Sequence, residues 1–122
     1  MSQASMLSEM IQKFVTATPD IQGGALITPD GLPLASVLPQ DMDEERTAAM
    51  SAAMLSLGER IGRELSRGIT DRIVVEGEKG YSVTVSCGDD AVLLVLASKE
   101  IKQGILFLEI KNIVKAIASV MR

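Results

Sequence analysis

Side chains that could perform chemistry are few in this sequence, and their spacing favours structural roles. The chain of 122 residues has no histidine and a single cysteine, Cys87. It therefore offers no Cys–His pair, no zinc site of Cys and His, and no internal disulfide. Carboxylates cluster within residues 41–45 (Asp41, Asp43, Glu44 and Glu45), where they complement the positive end of a predicted helix. We expect no catalytic residues, no metal site and no cofactor.

The remaining polar motifs indicate turns rather than ligand sites. Asp89 and Asp90 follow Gly88 between two predicted strands, as in a hairpin turn; a cation site is the alternative. No GxGxxG and no GxxxxGK[ST] occurs, so neither a dinucleotide site nor a P-loop is indicated. We expect Cys87 to fill space inside a strand, and Tyr81 to cap the core with its hydroxyl at the rim.

Three arginines stand out in a chain whose formal net charge is −4. Arg60, Arg63 and Arg67 share one face of the second predicted helix. One interpretation is a solvated face beside Glu59 and Glu64, and the other is a contact for acidic loops of a partner. An arginine finger is disfavoured, because fingers usually come from loops.

Composition indicates one cytoplasmic domain covering residues 1–122. Hydrophobic residues make up 47% of the chain and aromatic residues 2%, so the core must be aliphatic. The negative charge and the lack of a basic tract argue against nucleic acid. No apolar run is long enough to span a membrane, and the first residues lack the positive segment of a signal peptide.

The elements that position these residues alternate in the order α-β-β-α-β-β-β-α. Helices are predicted over residues 5–16, 43–67 and 99–120, and strands over residues 24–28, 32–38, 69–76, 81–87 and 91–97. Short Gly-containing turns imply antiparallel neighbours. Pro33 places the second strand at a sheet edge, and the wholly apolar residues 91–97 predict a central strand covered on both sides. The fold class is α+β, with one five-stranded antiparallel sheet and helices on both faces.

The second helix is the most informative element, because it carries two stripes of different size. Each interior glycine costs roughly 1 kcal/mol relative to alanine, so Gly58 and Gly62 suggest that another backbone approaches closely. A stripe of small residues (Ala48, Ser51, Leu55, Gly58 and Gly62) is predicted to form a helix–helix contact, for which a second copy of the chain is one candidate. A stripe of large residues (Met50, Met54, Leu57, Ile61 and Leu65) is expected to lie on the sheet.

This order of elements resembles the Roadblock/LC7 family, and in particular its bacterial MglB-like branch. The parts that match are the hairpin around Pro29-Asp30-Gly31, the small-residue helix, and three strands with a closing helix. The resemblance implies a homodimer in which the third strands pair edge to edge and the second helices lie side by side. The implied dimer surface is the small-residue stripe with Arg72, Ile73, Val74, Val75 and Glu76.

The resemblance also implies a function without catalysis: an adaptor that binds a small Ras-like GTPase, with Arg60, Arg63 and Arg67 as the candidate contact. Some relatives activate GTP hydrolysis and others act as scaffolds, so both remain open. The final helix ends near residue 122, so we expect no C-terminal extension for partner binding. The alternative function is a profilin-like or PAS-like module that senses a small molecule, although the sequence offers few polar groups for a pocket.

Overall fold

The computed structural model describes residues 2–121 and contains three helices and five strands. The elements, in chain order, are α1 (Gln3–Ala17), β1 (Ile21–Ile27), β2 (Pro33–Val37), α2 (Glu44–Glu64), β3 (Ile73–Gly77), β4 (Gly80–Cys87), β5 (Ala91–Ser98) and α3 (Gln103–Val120). The predicted order and the α+β class are confirmed.

The five strands form one antiparallel sheet in the order β2-β1-β5-β4-β3. Pro33 begins the edge strand β2. Proline has no N–H to donate to a neighbouring strand, and an edge strand tolerates this loss. The apolar strand β5 lies at the centre, paired with β1 on one side and β4 on the other. Both sequence-based placements are confirmed.

Helices cover both faces of the sheet, so the core has two layers. The larger cluster lies between the sheet and helices α1 and α3, and includes Leu26, Val83, Leu93, Leu106 and Ile117, all fully buried. The smaller cluster joins α2 to the other face and includes Ala25, Ile27, Ala48, Leu55 and Leu94. Alternate residues of β5 enter the two clusters, which explains why this strand has no polar side.

Local signals explain the first helix–hairpin–helix segment. Gly31 has φ +95° and closes the Pro29-Asp30-Gly31 turn with its N–H donating to the Thr28 carbonyl at 2.9 Å. Asp43 is the N-cap of α2, and its side chain accepts a hydrogen bond from the Arg46 N–H at 3.0 Å. The acidic cluster thus includes a helix cap, as expected.

The largest boundary error concerns residues 65–72, where the prediction continues α2 to residue 67 and begins β3 at residue 69. They form a connection instead, with left-handed backbone at Ser66 (φ 56°) and Gly68 (φ 88°). The Arg67 N–H donates to the Gly62 carbonyl at 2.7 Å, which satisfies an end carbonyl of the helix. The third helix also begins later than predicted, at Gln103.

Candidate interaction surface on α2 and β3

The orientation of the two stripes of α2 is the reverse of the one predicted from the sequence. Ala48, Ser51 and Leu55 are 1%, 5% and 8% exposed, and Gly62 is also buried. The large residues Met50, Leu57, Ile61 and Leu65 are 59%, 54%, 46% and 62% exposed. The small-residue stripe therefore lies on the sheet of its own chain, and the prediction that the large residues lie there is wrong.

The glycines of α2 allow close approach within one chain. A Cβ at Gly58 would lie 2.5 Å from Cδ1 of Ile73, on β3. A Cβ at Gly62 would lie 2.9 Å from the Gly68 carbonyl oxygen and 2.9 Å from Oγ1 of Thr70. That Thr70 hydroxyl donates to the Gly58 carbonyl at 3.2 Å. The close contact that the sequence indicated is made by the connection after α2 and by β3.

The large residues on this side of α2 form a surface that we call the apolar stripe (Met50, Met54, Leu57, Ile61 and Leu65). Met54 is partly buried, and the other four are exposed. Their spacing of three or four residues puts them on one side of the helix. The helix α2 and its C-cap residue Leu65 present them over about four turns. This exposed apolar surface has the character of a protein–protein contact.

The apolar stripe lies beside the edge of the sheet. A cleft of about 430 Å³ lies between α2 and the strands β3, β4 and β5, with Met50 and Met54 on the helix side and Val75, Ser82 and Leu96 on the sheet side. β3 is the edge strand there, and Val75 is 48% exposed. An unpaired edge and an apolar helix side thus lie together on one flank of the molecule.

The residues of the third strand that were predicted to form the dimer lie at this edge, and successive ones are on opposite faces of the sheet. Ile73 and Val75 lie opposite Thr84 and Ser82 of β4, on the α2 face, whereas Val74 lies opposite Val83 on the other face. Glu76 accepts a hydrogen bond from Lys99, and this bond raises the pKa of the Lys99 ammonium. Arg72 precedes the strand, which begins at Ile73.

All three candidate partner-binding arginines are exposed. Arg60 lies on α2 and pairs with Glu64 at 3.5 Å. Arg63 is in the last turn of α2. Arg67 follows the helix, and its Nε–H donates to the Leu65 carbonyl at 2.9 Å. The sequence-based statement that all three belong to a helix is wrong for Arg67, which lies next to the left-handed residue Ser66.

The remaining side chains that could be chemically reactive are buried in the core. Cys87 is 2% exposed, its thiol lies 3.7 Å from the Val114 carbonyl, and burial raises the pKa of the thiol to about 11. Tyr81 is 9% exposed and its hydroxyl accepts from Gln103 at 3.5 Å. Within residues 2–121, no group of three or more His, Cys, Asp or Glu side chains could hold a metal ion, and no helix is long and apolar enough to cross a membrane.

Comparison with known proteins places this geometry in a family. The family model described as the Roadblock/LC7 domain matches residues 7–97. The chain belongs to the Roadblock/LC7 family. The uncharacterized protein MJ0310 of the archaeon Methanocaldococcus jannaschii is 32% identical over 95 residues, which cover 78% of this chain and 82% of the relative.

Solved structures share the fold at lower identity. The Roadblock/LC7 domain from Streptomyces avermitilis has a TM-score of 0.86 at 23% identity, covering 93% of this chain and 96% of that chain. Myxococcus xanthus MglB has a TM-score of 0.89 at 15% identity, covering 99% and 91%. Profilin IA of Acanthamoeba castellanii has a TM-score of 0.68 at 11% identity, covering 92% and 96%. The MglB-like and profilin-like assignments of the fold are confirmed, whereas the bacterial origin expected from the resemblance is not shown, since MJ0310 is archaeal.

Proposed function

We propose that this protein is a non-catalytic, cytoplasmic homodimer that binds a small Ras-like GTPase as its adaptor or regulator. The observation that carries the proposal is the apolar stripe beside the open edge of β3. Monomeric proteins rarely expose large contiguous apolar surfaces, and an edge strand is a template for pairing with another chain. Membership in the Roadblock/LC7 family supports the same assembly.

In the proposed dimer, residues 72–76 of two copies pair antiparallel, and the two apolar stripes meet above the joined sheet. A two-fold axis brings identical surfaces together, so each copy covers the stripe of the other. The small-residue stripe takes no part, because its own sheet already covers it. Gel filtration coupled to light scattering tests this assembly, and a monomer at high protein concentration would contradict it.

The proposed GTPase contact consists of the paired α2 helices and their arginines. Arg60, Arg63 and Arg67 are exposed cations in a chain of net charge −4, which suits an acidic loop of a partner. Switch regions of Ras-like proteins change order with the γ-phosphate. A partner that contacts them should therefore prefer one nucleotide state.

The test is a titration of candidate GTPases from the same cell, in GTP-analogue and GDP forms. The triple variant Arg60→Ala/Arg63→Ala/Arg67→Ala should lower the association rate and reduce its dependence on salt, because rim charges act mainly on encounter. The matched control removes three exposed lysines elsewhere (Lys13→Ala, Lys79→Ala and Lys102→Ala) and should bind like the wild type. If both triple variants bound the GTPase with equal affinity, the arginines would have no specific role in the contact.

Any effect on GTP hydrolysis is expected to arise from ordering of the GTPase's own residues. Arg60 and Arg63 lie on a regular helix, and the Nε–H of Arg67 is held by the Leu65 carbonyl. Single-turnover hydrolysis with saturating protein measures this effect. If Arg67→Ala abolished stimulation while binding persisted, Arg67 would instead be an arginine finger.

The alternative, a small-molecule sensor, has less support from the interior. Within residues 2–121, every fully buried side-chain nitrogen or oxygen already has a hydrogen-bond partner. Ligand pockets usually keep a few convergent polar groups for their ligand. If the protein bound none of the Ras-like GTPases of the same cell, the sensor would be favoured over the adaptor.

A further inference from the structure

We propose that a groove between α3 and the outer strands binds an acidic amphipathic helix of a partner protein. This α3 groove has a volume of about 670 Å³ and is lined by residues of α3, by Val85 and Ser86 of β4, and by Asp71 and Arg72 before β3. Val85 belongs to the core cluster that packs under α1 and α3. The α3 groove therefore lies on the sheet face opposite α2, away from the apolar stripe and from Arg60.

The floor and one wall of the α3 groove are apolar. Val85 is buried at its base, and Phe107 and Val114 are partly buried along α3. Leu108 lines the groove and is 56% exposed, and Ile105 on the preceding turn is 49% exposed. Apolar side chains of an incoming helix would lose contact with water against this surface.

The rim of the α3 groove is cationic. Its lining includes Arg72, Lys111 and Lys115, against the single carboxylate of Asp71. The Arg72 guanidinium lies 3.8 Å from the centre of the Phe107 ring, so a cation–π contact holds it above the apolar wall. Lys111 and Lys115 are exposed and one helical turn apart. A local excess of cations in a chain of net charge −4 is complementary to an acidic ligand.

The dimensions favour a helix over a membrane surface. From Phe107 to Lys115 the lining follows α3 for about 12 Å, or about two turns, which suits a helix laid in a groove with apolar anchors at i, i+3, i+4 and i+7. Recognition of an anionic membrane generally uses about four to eight cations on one surface. Here three cations surround a concavity that also contains Asp71.

The experiment uses the full chain and a synthetic amphipathic peptide of about 14 residues, with Leu at helical anchor positions and Glu on both flanks. Amide chemical shifts of the ¹⁵N-labelled protein are followed up to about 1 mM peptide. Saturable changes are expected at Ser86, Leu108 and Lys111. Lys111→Glu/Lys115→Glu should weaken binding about tenfold or more, whereas the control Lys13→Glu/Lys79→Glu, with the same change in net charge, should bind like the wild type.

Several outcomes would overturn the proposal. These are no saturable shifts, shifts confined to α2, equal binding of a Lys-flanked version of the peptide, or equal loss of affinity in both charge variants. Shifts at Leu108 on dilution of the protein alone would identify a second copy as the occupant. If the protein bound phosphatidylserine vesicles more tightly than the peptide, and Lys111→Glu/Lys115→Glu lost this vesicle binding, the occupant would be a membrane. None of these outcomes depends on the GTPase, which is tested separately with the arginine variants of α2.

Discussion

Replacing Gly62 with alanine tests why α2 carries glycines. The new Cβ would lie 2.9 Å from both the Gly68 carbonyl oxygen and the Thr70 hydroxyl, so the backbone of the connection would have to move. Overpacking of this kind costs about 1–3 kcal/mol, whereas removal of a glycine from a helix interior gains about 1 kcal/mol. We expect the variant to lose about 1 kcal/mol of unfolding free energy.

Two further variants separate these effects. Ala53 is exposed on the same helix, so Ala53→Gly measures the propensity of this helix alone, at about 1 kcal/mol. In Gly58→Ala the new Cβ meets the partly buried side chain of Ile73 rather than backbone, and a rotamer change relieves part of the contact. Gly58→Ala should therefore lose less stability than Gly62→Ala.

The assay is urea unfolding followed by far-UV circular dichroism. Each variant is measured at two protein concentrations, because the proposed dimer would make stability depend on concentration. The reasoning would be refuted if Gly62→Ala raised the unfolding free energy by as much as Ala53→Gly lowers it. Gly62 would then face open space. A loss of dimerisation without a loss of monomer stability would instead restore the sequence-based interpretation that Gly62 faces a second copy.

Three other predictions concern the dimer, the helix cap and the thiol. Complete burial of Leu or Ile contributes about 1.5–3 kcal/mol, and Leu57 and Ile61 are 54% and 46% exposed. Covering the rest of these side chains in both copies is worth about 4 kcal/mol, so Leu57→Ser/Ile61→Ser should raise the dimer Kd about a thousandfold by sedimentation equilibrium; an unchanged Kd would exclude the apolar stripe. Asp43→Ala should lower unfolding free energy by about 1 kcal/mol through loss of the cap, whereas Asp41→Ala should change it by less than about 0.5 kcal/mol; equal effects would contradict the cap. Burial raises the Cys87 thiol pKa from 9.0 to about 11, so the unfolded chain loses this proton first and stability should fall as pH rises from 9.0 towards 11. Cys87→Ala should remove that part of the fall in unfolding curves, and an identical pH dependence in the variant would argue against a perturbed thiol.

Much of the fold follows from local chemistry in the sequence. Pro29-Asp30-Gly31 specifies a turn through a preset φ and a left-handed glycine, and Asp43 specifies a helix start. Pro33 restricts its strand to an edge, and the uninterrupted apolar run from Ala91 requires cover on both faces. These are short-range constraints, so they could be predicted without knowing what packs against them.

The spacing of residues in α2 predicts one stripe of large apolar residues and one of small residues, but which of the two contacts the sheet depends on how the whole chain packs. Periodicity identifies the faces of a helix without identifying their neighbours. Ala48 and Ser51 let α2 approach the sheet closely, and Gly62 leaves room for the connection that crosses to β3. The larger residues Leu57 and Ile61 were consequently left outside, on the flank where the sheet also ends. In the proposed dimer a second copy covers that flank, which is why the residues expected in the core became the candidate interface.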